Sequence, residues 1–148
     1  MNKPVLFCYD GSDGSKTALA AAVELIKPAD AVVLVVWMPA AVQLARAGSF
    51  VVAVPNEGEI DEQEAAIARQ IAEEGAAGAR RRGYNASARI AQANESVAKT
   101  IDEIAQEIDA GLVVRGRGAI GSALLGSVSH ALAAHTKRPV LIAAQHPS

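Results

Sequence analysis

The chain alternates between short apolar runs and longer segments in which apolar residues recur every three or four positions. Most of the runs are almost free of polar residues, which predicts strands that are buried on both faces of a sheet. The spaced segments predict amphipathic helices. We expect five strands, at residues 5–9, 31–37, 87–91, 112–114 and 139–144, with helices between them at residues 15–26, 59–82, 97–108 and 127–135.

This alternation over residues 1–148 predicts a single domain with a mainly parallel sheet and helices on both of its faces. In such sheets, ligands bind beyond the carboxyl ends of the strands, where the strand order changes direction. Residues 10–12 follow the first predicted strand directly, and a glycine-rich segment follows the fourth. We therefore expect both segments at the same rim of the sheet.

Several residues predict where the helices begin and end. Ser12 or Asp13 is the expected N-cap of the first helix, because such side chains accept hydrogen bonds from the first N–H groups of a helix. Pro28 stops that helix, Gly83 fits the C-terminal end of the long helix, and Asn94 caps the helix after it.

The long helix at residues 59–82 has an acidic start and a basic end, which suits the helix dipole. Its expected buried side is marked by isoleucines: Ile60, Ile67 and Ile71. Residues 39–58, which precede it, do not fit the alternation: 40–47 could form a helical turn, and 50–54 resembles a strand. A connection of this length is usually a lid, a binding loop or a mobile segment, and its structure stays open.

Composition excludes several classes of function. The formal net charge of −2 gives no general attraction to nucleic acid or to anionic membranes, and an aromatic content of 3% is too low for a base-stacking surface. The single cysteine, Cys8, rules out an internal disulfide framework and fits a reducing compartment. Neither a signal peptide nor an apolar stretch of roughly 20 residues is found, so we expect a cytoplasmic protein.

The segment from residue 112 to residue 129 carries the strongest indication of a ligand. Glycines let backbone N–H groups approach a ligand closely, and Gly116, Gly118 and Gly126 recur along this segment. The segment ends where a helix can begin, and the start of a helix offers unpaired N–H donors and a partial positive charge. Together these features predict a phosphate site.

The polar side chains of this segment, and Asp10, could bind a ligand or could have only a structural role. Ser127 and Ser129 are most often simple helix caps, but here they close a long glycine-rich loop, so contact with phosphate is favoured. Arg117, and less strongly Arg115, could hold phosphates, or could merely solvate the loop. Asp10 could accept hydrogen bonds from a ribose or a base, or could form an Asx-turn or cap a helix, and the two interpretations are equally weighted.

Other sites are not supported by the spacing. The glycines at 116, 118 and 121 match G-x-G-x-x-G, but no Asp or Glu follows Asp109, so the acidic residue of a dinucleotide site is missing. No Gly-Lys-Ser/Thr triplet forms a phosphate loop. We find no cluster of metal ligands and no catalytic constellation.

Residues 5–12, 35–39, 115–129 and 138–142 together resemble the universal stress protein family, and the likeness covers nearly the whole chain. The resemblance implies a Rossmann-like α/β fold, similar to the adenine nucleotide alpha hydrolases. It further implies a five-stranded parallel sheet in the order 3-2-1-4-5. That order brings the ends of the first and fourth strands together.

One branch of that family binds ATP through the pattern G-x2-G-x9-G-[ST]. Gly116 matches its second glycine, and Gly126 with Ser127 matches its end, but Val113 stands where the first glycine would fall. The chain is two residues shorter than typical relatives just before Arg115.

The resemblance also implies roles for individual residues. Asp10 would contact the adenosine part of the nucleotide, Val36 would lie near the adenine, and Val128 and Ser129 would join the phosphate cradle. The family further implies a homodimer through the last strand, and an apolar edge strand at residues 140–144 suits such pairing.

The leading hypothesis is therefore a regulatory, stress-response protein that binds ATP, ADP or AMP, alone or with Mg²⁺. Hydrolysis would be slow at most, because no general base or pair of metal-binding carboxylates is evident. The alternative hypothesis is a dimeric interaction module that no longer binds nucleotide, because its first glycine is missing. Neither nucleic acid nor a membrane is an expected partner.

Overall fold

In the computed structural model, residues 3–46, 48, 56–116 and 126–143 are described, those at 46, 126 and 127 by their backbone alone. Over these residues, five strands alternate with helices. The strands are β1 (Val5–Cys8), β2 (Asp30–Trp37), β3 (Asn85–Gln92), β4 (Leu112–Gly116) and β5 (Val140–Ala143). The helices are α1 (Asp13–Leu25), α2 (Ala40–Arg46), α3 (Glu57–Arg81), α4 (Val97–Glu107) and α5 (Gly126–His135).

All neighbouring strands of the sheet are parallel, in the order β3-β2-β1-β4-β5. The predicted fold class and strand order are confirmed. β1 is the central strand, and its last residue, Cys8, lies between Leu34 of β2 and Arg115 of β4. The change of direction in strand order therefore falls at the carboxyl ends of β1 and β4.

Two cores form because successive strand residues point to opposite faces of the sheet. Phe7 and Val33 lie in the core under α1 and α3, and Leu6 and Leu34 lie in the core under α4 and α5. All four side chains are at most 2% exposed. This burial on both faces explains why β1 and β2 are continuous apolar runs.

The buried face of α3 consists of small residues: Ala68, Ala72, Gly75, Ala76, Gly78 and Ala79. The prediction that isoleucines mark this face is wrong for Ile67, which is 53% exposed. The small residues are needed because the helix lies very close to the sheet. A Cβ added at Gly75 would stand 2.8 Å from both Tyr9 and Val33.

The helix ends agree with the predictions at two positions and differ at one. Ser12 caps α1, since its Oγ accepts a hydrogen bond from the N–H of Ser15 at 3.2 Å. Gly83 follows the C-cap of α3 with a φ of 98°, a conformation that glycine adopts without strain. The prediction that Asn94 caps α4 is wrong, because Ser96 is the N-cap and accepts from the N–H of Lys99.

The connection after β2 contains a short helix, and β4 is longer than predicted. The predicted helical turn at 40–47 is α2, whose first residue, Ala40, donates its N–H to Oδ1 of Asp61 at 3.0 Å. The strand-like segment at 50–54 lies outside the described residues. β4 is longer than predicted, because Arg115 and Gly116 pair with Ile142 and Ala143 of β5. These two residues therefore belong to the sheet and not to the loop.

Candidate functional site

A cleft of about 230 Å³ opens at the carboxyl end of the sheet, where the strand order changes direction. Residues from three neighbouring strands, three helices and the turn after β1 form its walls. The lining residues are Cys8, Tyr9, Asp10, Ser12, Ser15, Leu34, Val36, Val97, Ile101, Arg115, Gly116 and Val128. The cleft therefore lies at the rim where the sequence predicts a ligand.

Asp10 ends the segment that leads out of β1, and its carboxyl group lies between the cleft and the start of α1. Its Oδ1 accepts a hydrogen bond from the N–H of Ser12 at 2.9 Å, across a turn in which Gly11 has a φ of 79°. The Asx-turn interpretation thus describes the local structure. Asp10 also lines the cleft, and the two oxygens of a carboxylate can together accept about four hydrogen bonds.

The surroundings of Asp10 favour its ionised form. Burial alone raises the pKa of this carboxyl group, but hydrogen bonds from Ser12 and Ser15 and the charge of Arg115 outweigh that effect and hold the pKa below its usual value. Asp10 is therefore a carboxylate at neutral pH. It can accept hydrogen bonds from hydroxyl or amino groups of a ligand.

The first turn of α1 provides the polar floor next to Asp10. Ser15 is 6% exposed, and its Oγ donates to the backbone oxygen of Ser12 at 2.9 Å and accepts the N–H of Asp10 at 3.4 Å. Sequence reasoning missed Ser15 as a lining residue. The available signal was its place three residues after the N-cap, where a hydroxyl returns to the start of the helix.

Gly116 closes the cleft between β4 and α1, and only glycine fits there. A Cβ at this position would lie 2.3 Å from the backbone oxygen of Gly14 and 3.0 Å from the nitrogen of Ser15. The obstructing atoms belong to the backbone, so no side-chain movement relieves the contact. Gly116 thus allows the end of β4 to lie directly against the first turn of α1.

Arg115 is a partly buried cation in this apolar sheet. It lines the cleft, and its Nε donates a hydrogen bond to Oγ of Ser129 in the first turn of α5, at 3.1 Å. Ser129 is itself buried, with 7% of its surface exposed. The structure therefore joins β4 to α5 through two side chains that are 14 positions apart in the sequence.

Cys8 lies beside Arg115 in the sheet and also lines the cleft. Burial raises the pKa of its thiol to about 12, and the nearby charge of Arg115 only partly opposes this effect. The thiol is therefore neutral and a poor nucleophile at physiological pH. It contributes a small apolar surface to the cleft and no charge.

The remaining walls of the cleft are aliphatic. Leu34 and Val36 come from β2, Val97 and Ile101 from α4, and Val128 from α5. The sequence pattern identifies Val97 and Ile101 as part of the buried stripe of α4 but does not show that this end of the stripe faces a cleft. An aliphatic surface opposite polar groups suits a flat aromatic group that carries a sugar.

The fold and the cleft agree with a family comparison. The model of the universal stress protein family matches residues 1–144. The chain belongs to this family. A comparison with curated proteins finds no match.

Solved structures of universal stress proteins share this fold. A family member from Burkholderia pseudomallei is 26% identical, with a TM-score of 0.74 and 95% of each chain covered. The universal stress protein from Archaeoglobus fulgidus in complex with dAMP is 18% identical, with a TM-score of 0.60 over 96% of this chain and 97% of that one. A family protein from Arabidopsis thaliana with AMP bound is 16% identical, with a TM-score of 0.64 over 97% and 92% of the two chains.

In this universal stress protein domain, the predicted site residues are brought together only in part. Asp10, Val36, Gly116 and Val128 line one cleft, and Ser129 lies behind it, bound to Arg115. Gly126 and Ser127 begin α5, and their side chains are not among those described. Arg117 and Gly118 lie outside the described residues.

The described residues offer neither a metal centre nor a membrane-spanning helix. Over residues 3–46, 48, 56–116 and 126–143, no three His, Cys, Asp or Glu side chains cluster in a way that could hold a metal ion. Within the same part of the chain, every helix is too short or too polar to cross a bilayer.

Proposed function

We propose that this universal stress protein domain binds an adenine nucleotide in the cleft at the carboxyl ends of β1, β2 and β4. The observation that carries the proposal is the pairing, in one cleft, of the Asp10 carboxylate with the aliphatic wall formed by Leu34, Val36, Val97 and Ile101. A nucleoside needs both surfaces, because its base is flat and weakly polar and its ribose carries hydroxyl groups. The family structures with dAMP and AMP support the proposal by analogy.

Each part of the nucleotide has residues suited to it. The adenine would lie against Val36 and the neighbouring aliphatic side chains, and Asp10 would accept hydrogen bonds from the adenosine. The phosphates would extend toward Gly116, Arg117 and Gly118 and the first turn of α5, which comprises Gly126, Ser127, Val128 and Ser129. A helix start suits phosphate because its N–H groups are unpaired and its dipole is positive there.

The volume of the cleft agrees with a nucleoside inside it and phosphates near its rim. Its volume of about 230 Å³ is slightly below the range that begins near 300 Å³ for pockets enclosing a whole drug-sized ligand. The described walls therefore suit the nucleoside, and the phosphates would lie near the rim. The proposed ligands are ATP, ADP or AMP, with or without Mg²⁺.

The proposed role is regulatory: nucleotide occupancy would report on energy state or stress, in the cytoplasm. Any ATP hydrolysis would be slow, because the described cleft contains one carboxylate, Asp10, and phosphoryl transfer with metal ions normally needs more than one group to hold the metal and orient water. The single cysteine, Cys8, supports a reducing compartment.

Calorimetric titration and thermal denaturation with AMP and ATP test the proposal. A nucleotide that binds only the folded chain stabilises it by about 2.7 kcal/mol at a hundredfold excess over Kd, and each kcal/mol raises the Tm of a domain of this size by roughly 2–4 °C. Val36→Glu should abolish the shift, because it puts a charge in the aliphatic wall. Ile67→Glu, on the exposed side of α3, should leave it intact. No shift with either nucleotide at millimolar concentration would contradict the proposal.

A second candidate function is favoured by the edge of the sheet. Within the described part of the chain, β5 pairs with β4 on one side only, and Ile142 is 41% exposed. An apolar edge strand offers unpaired backbone groups to a second copy of the chain. The alternative is therefore a homodimeric interaction module that does not bind nucleotide. A dimer by light scattering whose Tm is unchanged by AMP and ATP would favour this alternative.

A further inference from the structure

β3 forms the edge of the sheet opposite to β5, and within the described part of the chain no strand pairs with its outer side. The N–H of Asn85 donates to the oxygen of Ala29, and the N–H of Ala93 donates to the oxygen of Trp37, so the odd-numbered residues of β3 face β2. The residues whose backbone groups face outward are therefore Ala86, Ala88, Ile90 and Gln92.

The usual protections of an edge strand are largely missing from β3. Natural edges carry lysine, proline, a bulge or a covering segment, because unpaired backbone groups invite another strand. β3 contains no lysine, proline or glycine, and its eight residues pair with β2 without a bulge. Its one charged side chain, Arg89, is paired with Glu107 of α4. The strand therefore has no unpaired charge of its own that would repel a second copy.

One described contact blocks part of this edge. Arg80, in the last turn of α3, donates from its Nε to the backbone oxygen of Ala86 at 2.9 Å. Ala86 is 6% exposed, and Arg80 is exposed. A strand that paired along the whole edge would use the same oxygen, so it would have to displace Arg80.

We propose that the outer edge of β3 is a pairing surface for β3 of a second copy of the chain, and that Arg80 blocks this pairing by occupying the Ala86 oxygen. A twofold axis places two β3 strands antiparallel, so that the same surface is complementary to itself. The start of one strand, which follows the three arginines at 80–82, then lies beside the end of the other, which precedes Glu95. These opposite charges favour a second copy as the partner.

A purely structural role for Arg80 is the competing explanation. A cation in the last turn of a helix suits the helix dipole, and the bond to Ala86 could simply fasten α3 to the sheet. Loss of such a brace lowers the Tm of the domain but leaves its mass in solution unchanged. Loss of a block increases the mass, because the edge becomes free to pair.

Light scattering of the full chain over a range of concentrations separates the two explanations. Arg80→Met keeps the apolar stem and removes the donor, so its mean mass should rise about twofold above that of the wild type at saturation, because each copy gains one partner. Arg81→Met removes the same charge from an exposed neighbouring position and leaves the bond from Arg80 to Ala86 intact. Its mass should equal that of the wild type.

A second substitution identifies the surface that associates. The N–H of Ala88 faces outward, so Ala88→Pro removes a donor toward a second copy and none toward β2. Arg80→Met combined with Ala88→Pro should therefore return to the wild-type mass. In hydrogen exchange, the amides of Ala88 and Ile90 should exchange freely in the wild type and become protected at least about tenfold in Arg80→Met.

Each result has a defined meaning. An Arg80→Met mass equal to that of the wild type, or an increase that Ala88→Pro does not reverse, would overturn the proposal. Protection of the Ala88 and Ile90 amides in the wild type would also overturn it, since these groups would then already be paired. Should Arg80→Met lack a cooperative thermal transition, Arg80→Gln provides the same comparison with a polar side chain. None of these measurements involves a nucleotide, so the outcome is independent of the proposed function.

Discussion

Both ends of the sheet carry an arginine. Among the described residues, the arginine at the amino end is paired with a carboxylate, and the arginine at the carboxyl end is not. At the amino end, Asp109 accepts a hydrogen bond from Nη1 of Arg138 at 2.9 Å and lies 3.5 Å from Nζ of Lys3. Arg138 also donates to the backbone oxygen of Ala110 at 2.7 Å. At the carboxyl end, Arg115 has no such carboxylate among the described residues.

This difference separates a structural cluster from a candidate binding site. At the amino end, the Arg138 hydrogen bond and the charge of Lys3 lower the pKa of Asp109, and the charges are mutually satisfied, with Asp109 exposed and Arg138 partly buried. Pairs that include an exposed carboxylate contribute little to stability. At the carboxyl end, Arg115 lines the cleft, and none of the described carboxylates lies within ion-pair distance of it.

The largest expected effect comes from the glycines at the two ends of β4. Gly116→Ala should destabilise the domain by about 3 kcal/mol, at the upper end of the range for overpacking, because its Cβ would meet the backbone of Gly14. Gly111→Ala, at the amino end, brings its Cβ to 2.9 Å from Cβ of Lys3, a less severe approach than the 2.3 Å at Gly116, so its cost should be smaller. Urea denaturation measures both. Equal losses of unfolding free energy in the two variants would show that the two ends of β4 are packed equally tightly.

A smaller effect is expected at the amino-end cluster. Arg138→Met should cost about 1 kcal/mol through the lost hydrogen bond to Ala110, and the exposed pair with Asp109 should add little to that. AMP affinity should be unchanged, because the cluster lies at the end of the sheet opposite the cleft. A drop in AMP affinity in Arg138→Met would remove the functional distinction between the two ends.

The smallest effect concerns the pH dependence that Asp10 contributes. The pKa of Asp10 in the folded chain lies below its ordinary value of 3.8, so its ionised form stabilises the fold above that pH, and the contribution is lost as the pH falls through the folded pKa. Asp10→Asn keeps an acceptor for the N–H of Ser12 but does not titrate. The free energy of unfolding of Asp10→Asn, measured by urea denaturation, should therefore lie further below that of the wild type at pH 7 than at pH 3. If the difference in free energy of unfolding stayed constant with pH, the lowered pKa of Asp10 would be contradicted.

Much of the fold was predictable because it depends on local patterns. β1 and β2 are recognisable as apolar runs, Ser12 as a cap and Gly83 as a helix end, since each of these signals depends only on near neighbours in the chain. The strand order came from the family resemblance and is confirmed. The position of Asp10 at the rim followed from its place directly after β1.

The predictions that were wrong depended on distances between elements. Ile67 was expected inside because it is large and apolar, yet the buried positions of α3 are alanine and glycine, and at Gly75 even a Cβ would lie 2.8 Å from Tyr9 and Val33. Asn94 and Ser96 are both good caps, and the point where the chain turns into α4 selects Ser96. Arg115 and Gly116 resembled a loop, but pairing with β5 extends β4 through them.

The sequence by itself determined the alternation of strands and helices and the rim at which polar residues collect, because period and turn chemistry are local properties. Only the tertiary structure decided what these residues do to one another. It brought Arg115 to Ser129 in the wall of the cleft that Asp10 also lines, and it pressed Gly116 against Gly14. Such contacts depend on how helices pack on the sheet, and no local pattern encodes that geometry.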